Sequence, residues 1–185
     1  QLHRHCPKDA DLSGYFQSER YFAEIADEIR QEFRFKPEIE AHCRNRLARF
    51  EGAMISLHVR RGDYVLNREN HPACDLGYYS AALDAMPGAM PVLVFSDDIA
   101  WCRAQALFRG SRFAFVQNGQ NYHDLCGMSL CCHHIIANSS FSWWGAWLGR
   151  NPEKIVVAPR RWFGETGTDS RHDTKDLIPE GWLRV

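Results

Sequence analysis

From Ala53 onward, short apolar runs alternate with helix-like stretches, and this alternation restricts the fold more than any other feature of the chain. The runs lie at 53–59, 91–95, 113–117, 134–138 and 154–158, each with the length and branched-aliphatic content of a buried strand. Stretches with helical spacing at 77–86, 99–108, 121–132 and 143–149 separate them. Strand, helix, strand repeated over roughly 100 residues predicts an α/β domain, a Rossmann-like parallel sheet with flanking helices and right-handed crossovers. Ahead of it, Tyr21, Phe22, Ile25, Ile29 and Phe33 predict a helix over 18–33, and Pro37 opens a second over 37–50. The expected organisation is therefore 1–50 leading helices, 51–163 sheet domain and 164–185 polar loop and tail.

The polar chemistry gathers where the strands end. The first run closes on Arg60-Arg61-Gly62-Asp63, the second on Ser96-Asp97-Asp98 and the third on Asn118-Gly119. The fourth closes on Asn138-Ser139-Ser140-Phe141-Ser142 and the fifth on Pro159-Arg160-Arg161. Ligands of open α/β sheets bind outside the carboxyl ends of the strands, so this edge is the expected site. With 22 basic and 23 acidic residues the net charge is −1, so no global field recruits nucleic acid or anionic membrane, and an anion site must be local. No apolar stretch approaches the roughly 18 residues of a transmembrane span. A cytoplasmic, bacterial protein is the expectation, with membrane or Golgi attachment only through a segment ahead of Gln1.

Adjacent strand residues face opposite ways. One of Arg60 and Arg61 is therefore expected to clamp phosphate, for which a guanidinium fork is shaped, while the other braces the loop. A salt bridge to Asp63 or Asp97 is the alternative use, and Gly62 allows close backbone approach by a ligand. Ser139-Ser140-Phe141-Ser142 follows a strand and opens a helix, where hydroxyls and free amides form an anion cradle; Ser142 also suits an N-cap. Trp143, Trp144 and Trp147 fit a core better than a stacking platform. Asp97-Asp98 suits either a divalent metal beside a diphosphate or ribose and base contacts, with Asp98 capping the next helix. The second use is preferred because the arginines already neutralise phosphate. Asp124 is either a helix-face acid at the same edge or a solvated carboxylate, and His58 is either an internal hydrogen-bonded residue or a catalytic one. Cys131-Cys132-His133-His134 is read as packing rather than a zinc site, since vicinal ligands do not converge on one ion. The seven cysteines have no regular spacing, which favours a reducing compartment. Gly-x-Gly-x-x-Gly, Walker and Gly-x-Ser-x-Gly patterns do not occur, which argues against dinucleotide oxidoreductases, P-loop enzymes and serine hydrolases.

Taken together these segments resemble a known family. His58-Val59-Arg60-Arg61-Gly62-Asp63-Tyr64 resembles the first peptide motif of the α-1,2-fucosyltransferases, glycosyltransferase family 11. Ser139 to Trp147 is similar to that family's second signature, Gly14 to Phe22 to a segment before the first motif, and Val94 to Asp98 to one between them. The resemblance implies the donor-binding domain of a GT-B glycosyltransferase that inverts at the anomeric carbon. Its donor would be GDP-fucose and its acceptor a galactose-containing glycan, with no metal and no other cofactor. By the same resemblance, Arg60, Arg61, His58 and Asp63 form the catalytic group, one arginine meeting the β-phosphate. Tyr64, Asp97, Asp98, Asp124, Asn138, Ser139, Ser140, Phe141, Ser142 and Trp143 would bind substrate. Asp98 and Asp124 would meet guanine or ribose, and Ser140 to Ser142 the diphosphate. Residues 1–50 would then be a remnant of, or link to, an N-terminal acceptor domain.

Overall fold

The computed structural model describes residues 18–50, 52–88, 90–117, 120–166 and 172–185. Cys6, Gly14 to Gln17, Asn118-Gly119 and residues 167–171 of the expected loop lie outside the described residues. Six parallel strands form one sheet in the order β3-β2-β1-β4-β5-β6. They are β1 (Ile55–Val59), β2 (Val92–Ser96), β3 (Phe113–Phe115), β4 (His133–Ile135), β5 (Val156–Ala158) and β6 (Leu183–Arg184). The connecting helices are α3 (Leu76–Asp84), α4 (Ile99–Ala104), α5 (Asn121–Ser129) and α6 (Ser140–Leu148), preceded by α1 (Ala26–Glu32) and α2 (Pro37–Leu47). The architecture is the expected Rossmann-like α/β sheet, and its strand order reverses direction between β1 and β4. In doubly wound sheets that reversal opens a crevice at the carboxyl edge.

Burial follows from β1 being central. All five of its residues are buried, between β2 and β4. Ile55, Leu57 and Val59 pack with Val92, Val94, Tyr79 and Ala82 on one face. The intervening Leu93 and Phe95 of β2 pack with Leu47, Val116 and Met128 on the other. A third cluster joins Trp143 and Trp147 of α6 to Phe22, Trp162, Leu177 and Ile178. Trp143 is fully buried and its indole N–H donates to the Leu177 carbonyl at 2.8 Å, which supports the core reading of these tryptophans. Three members of the Cys131–His134 run have an internal place: Cys131 packs in the core, His133 Nδ1 accepts from Ile155 N–H, and His134 Nδ1 meets Ser56 Oγ at 2.8 Å.

Two local expectations differ from the structure. The helix expected over 18–33 is broken into 3₁₀ turns at Glu19–Tyr21 and Ala23–Ile25 before α1. The breaks at Phe22 and Ile25 let the Phe22 ring seat against Trp147, Trp144 and Trp143, at 5.0, 5.4 and 6.5 Å between centroids. The end of the chain is not all loop either. β6 adds parallel to β5, with Val185 N–H donating to Ala158 and Arg160 N–H to Val185. Leu177, Ile178 and Trp182 pack on the α6 cluster, at spacings too irregular to show a period in sequence. Among the described residues, no helix is long and apolar enough to cross a membrane.

Candidate functional site

The carboxyl ends of β1, β2, β3 and β4 open into a cleft of about 910 Å³. His58, Arg60, Asp63, Tyr64, Asp97, Asp98, Asp124, Ser139, Ser140 and Phe141 all line it. The first and fourth strand ends, far apart in sequence, are brought side by side because β4 pairs with β1.

The two arginines divide their work as strand alternation requires. Arg60 fronts the cleft, with its guanidinium 2.7 Å from Asp63, 3.1 Å from Asp97 and 5.3 Å from the centre of the Tyr64 ring. Arg61 is not among the lining residues; its Nε donates to Asp98 at 3.2 Å and its guanidinium lies 4.0 Å over the Trp101 ring. Arg60 thus both faces the cleft and makes the ion pairs named as its alternative use. Asp63 is 66% exposed, so its pair with Arg60 contributes at most about 1 kcal/mol. Asp97 is held more firmly, since it also accepts the Arg61 backbone N–H at 2.9 Å.

Gly62 has a different role from the one its sequence suggested. A Cβ there would lie 2.6 Å from the Asp97 carboxylate, so the space beside it is taken by Asp97 and not left for a ligand. Asp98 caps α4, accepting the Trp101 N–H at 3.0 Å. With Asp97 on Arg60 and Asp98 on Arg61 and the α4 N-terminus, the carboxylate pair is committed to protein partners. Asp124 stands further along, on α5, beside Gln117, Gln120 and Asn121.

The second wall is the start of α6. Ser139 takes the N-cap backbone conformation without a side-chain cap, and Ser139, Ser140 and Phe141 face the cleft. The first-turn N–H groups of a helix lack intrahelical acceptors and carry its positive dipole end, so this wall suits an anion. Arg60, ion-paired to Asp63 and Asp97, lines the same cleft.

His58 is buried in the floor, its ring 5.7 Å from Phe141 and its Nδ1 without a hydrogen-bond partner among the described residues. Burial, and then the neighbouring Arg60, push its pKa down to about 3. It is therefore a neutral imidazole near pH 7, fit to share a hydrogen bond and poorly fit to remove a proton. The Tyr64 phenol is raised by burial and donates to the Asn138 carbonyl at 3.1 Å.

Three residues of the expected binding set sit behind the wall. Asn138 is buried, and its amide donates to the carbonyls of Pro72 (3.0 Å) and Trp162 (2.8 Å), tying the loops after β1 and β5 together. The Ser142 hydroxyl turns back to Ser139 and Ala137 within the turn, and Trp143 is core. Conversely, sequence reasoning passed over His71, Trp162, Phe163 and His172, which also line the cleft. Trp162 and Phe163 directly follow the fifth strand end, a signal that was present; His71 lies in an aperiodic loop that offered none.

The model of the family described as glycosyl transferase family 11 matches residues 4–183. The chain is 35% identical over 185 residues to an alpha-1,2-colitosyltransferase of Escherichia coli, covering 95% of this chain and 62% of that protein. It is 36% identical over 140 residues to the O-antigen biosynthesis glycosyltransferase WbnK of Escherichia coli, covering 70% of this chain and 44% of that one. It is 31% identical over 164 residues to the galactoside 2-alpha-L-fucosyltransferase SEC1 of Bos taurus, covering 80% and 45%. The chain thus spans between about two fifths and three fifths of the length of these relatives. No solved structure matches.

Proposed function

The chain belongs to glycosyl transferase family 11, and on that premise we propose that its cleft binds the diphosphate of GDP-fucose for transfer of fucose to a galactose hydroxyl of a glycan. The observation that carries this reading is that Arg60 and the α6 N-terminus line one cleft at the β1/β4 reversal of the sheet. Once a phosphate takes the place of the exposed Asp63 on Arg60, the guanidinium and the helix amides both offer donors to a diphosphate in a space of nucleotide size. During transfer, the bond from the sugar's anomeric carbon to the β-phosphate oxygen breaks, and its electron pair leaves with GDP. Arg60 and the helix amides stabilise the charge that builds on the diphosphate, an effect strongest where donors are fixed in advance. Attack by the galactose hydroxyl oxygen from the opposite face forms the glycosidic bond, inverts the anomeric centre to the α-1,2 linkage and releases the hydroxyl proton to water. The commitment of Asp97 and Asp98 to arginines and a helix cap supports metal-independent binding. Guanine N–H groups need acceptors and its O6 needs a donor, which Asp124, Gln117, Gln120 and Asn121 at the α5 end offer.

A colitosyl donor is the second reading, favoured by the name of the E. coli relative at 35% identity. Calorimetric titration with GDP in EDTA, followed by GDP release from GDP-fucose with lactose present, tests the proposal. Binding in EDTA and lactose-dependent release are expected. Absence of GDP binding, or binding only after a divalent metal is added, would refute it.

A further inference from the structure

The cleft has two chemically different ends. Toward β3 and α5 it presents carboxylates and amides: Asp98, Gln117, Gln120 and Asp124. Toward β5 it presents rings that touch one another in series. The Arg60 guanidinium lies 5.3 Å from the Tyr64 ring, Tyr64 stacks on His71 at 5.0 Å and 21°, and His71 tilts against Phe163 at 5.6 Å. Phe163 in turn meets His172 edge-on at 5.1 Å. This row begins at the expected phosphate clamp and runs away from the hydrogen-bonding end.

The row is built, since two loops distant in sequence are fastened together to make it. Gly164 N–H donates to the Asn70 carbonyl at 2.7 Å, and a Cβ on Gly164 would fall 1.7 Å from the Glu69 carbonyl oxygen. The buried Asn138 amide bonds Pro72 and Trp162 on the same two loops. The Tyr64 hydroxyl anchors to the Asn138 carbonyl. Tyr64, His71 and Phe163 are therefore held in a common arrangement by contacts within the protein.

We propose that Tyr64, His71 and Phe163 form a hexose seat, a wall on which a pyranose docks by its C–H face next to the diphosphate held by Arg60. This rests on the GDP-sugar reading above and assigns the sugar to the β5 side of the cleft. The ring faces are largely taken up by Arg60 and by one another, so the row offers apolar ring surface from which the C–H face of a hexopyranose displaces water. A purine would also lie against such a wall. The groups that match guanine's hydrogen-bonding edge, however, lie at the opposite end of the cleft. The hexose is either the donor's own or the acceptor's, and the two sources are separable by ligand.

The test uses His71→Leu and Phe163→Leu, which keep apolar bulk and remove a ring, with the whole chain. Thermal melting first establishes that each variant is folded; if one is not, the other carries the experiment. GDP and GDP-fucose are titrated into each protein, and saturation-transfer NMR reads lactose on the GDP complex. The expected result is a GDP Kd within about twofold of wild type. Each ring removed then costs about two- to tenfold in GDP-fucose affinity relative to GDP if the seat takes the donor sugar. Loss of the lactose signal instead assigns it to the acceptor. Three results overturn the seat: equal weakening of GDP and GDP-fucose, which makes the rings a base platform; unchanged donor preference and lactose signal in both variants; and a wild type that binds GDP but shows neither donor preference nor lactose contact. A wild type that binds no GDP overturns instead the reading on which the seat rests.

Discussion

Gly62→Ala perturbs the junction on which the positions of both arginines depend. The added methyl would sit 2.6 Å from Asp97 Oδ2 and 3.4 Å from its Cγ, so the carboxylate must swing away. Asp97 Oδ1 then loses the Arg61 N–H bond now at 2.9 Å, and Oδ2 its 3.1 Å ion pair with Arg60. A hydrogen bond to a charged acceptor contributes about 1.5–3 kcal/mol. The partly exposed ion pair adds up to about 1 kcal/mol. The expectation is a destabilisation of about 2 kcal/mol, or about 4–8 °C in Tm for a chain of this size. Urea denaturation of Gly62→Ala, Asp97→Ala and the double variant forms a cycle that isolates the contact. With the Asp97 carboxylate gone, the cost of Gly62→Ala should fall by about 1.5–3 kcal/mol, the part owed to that contact. An undiminished cost in the Asp97→Ala background would refute the assignment of Gly62 to the Asp97 carboxylate.

Further outcomes follow from the same packing. His58 and His134 are both depressed to about 3 by burial, well under the 6.5 of a free imidazole. The unfolded chain therefore binds more protons than the folded one between about pH 6.5 and 3, so stability is full above that window and falls as pH drops through it. Nitrogen-15 NMR should find both rings neutral at pH 5, and imidazolium signals from either at that pH would contradict this. Trp143→Phe removes the donor to the Leu177 carbonyl and part of a fully buried ring, and should cost about 2–4 kcal/mol in urea titrations while leaving GDP affinity unchanged. Gly164→Ala forces apart the loops after β1 and β5. It should lower Tm and loosen the cleft wall at Phe163, detectable as faster amide exchange at Asn70 and Gly164, whereas unchanged exchange would count against the staple.

The sheet was legible in sequence because its strands are short, apolar and bounded by turn-forming residues. The placing of polar groups at the carboxyl edge followed from where the apolar runs stop. What periodicity did not carry was anything fixed by side-chain contact across the fold. The break at Phe22 follows from ring packing against three tryptophans that are 121 or more positions away. β6 is two residues long and owes its place to Trp182, Leu177 and Ile178 packing on α6. The alternation rule required that only one of Arg60 and Arg61 face a ligand, and only the contacts with Asp98 and Trp101 identify Arg61 as the brace. Asn138 had the right residue type for a ligand contact at the right strand end, but its amide is used to join two loops. His71 and Phe163 entered the site through those same loop contacts, which leave no mark in local sequence.

The proposed division makes Arg60 the phosphate clamp and Arg61 its brace. GDP titration calorimetry on wild type, Arg60→Ala and Arg61→Ala tests that division directly. Removing a charge-assisted phosphate contact costs about 1.5–3 kcal/mol, so Arg60→Ala should weaken GDP by about ten- to a hundredfold. Arg61→Ala should lower Tm through the lost Asp98 and Trp101 contacts while changing GDP affinity less than about threefold. GDP bound equally well by Arg60→Ala and wild type, or a loss confined to Arg61→Ala, would contradict that division.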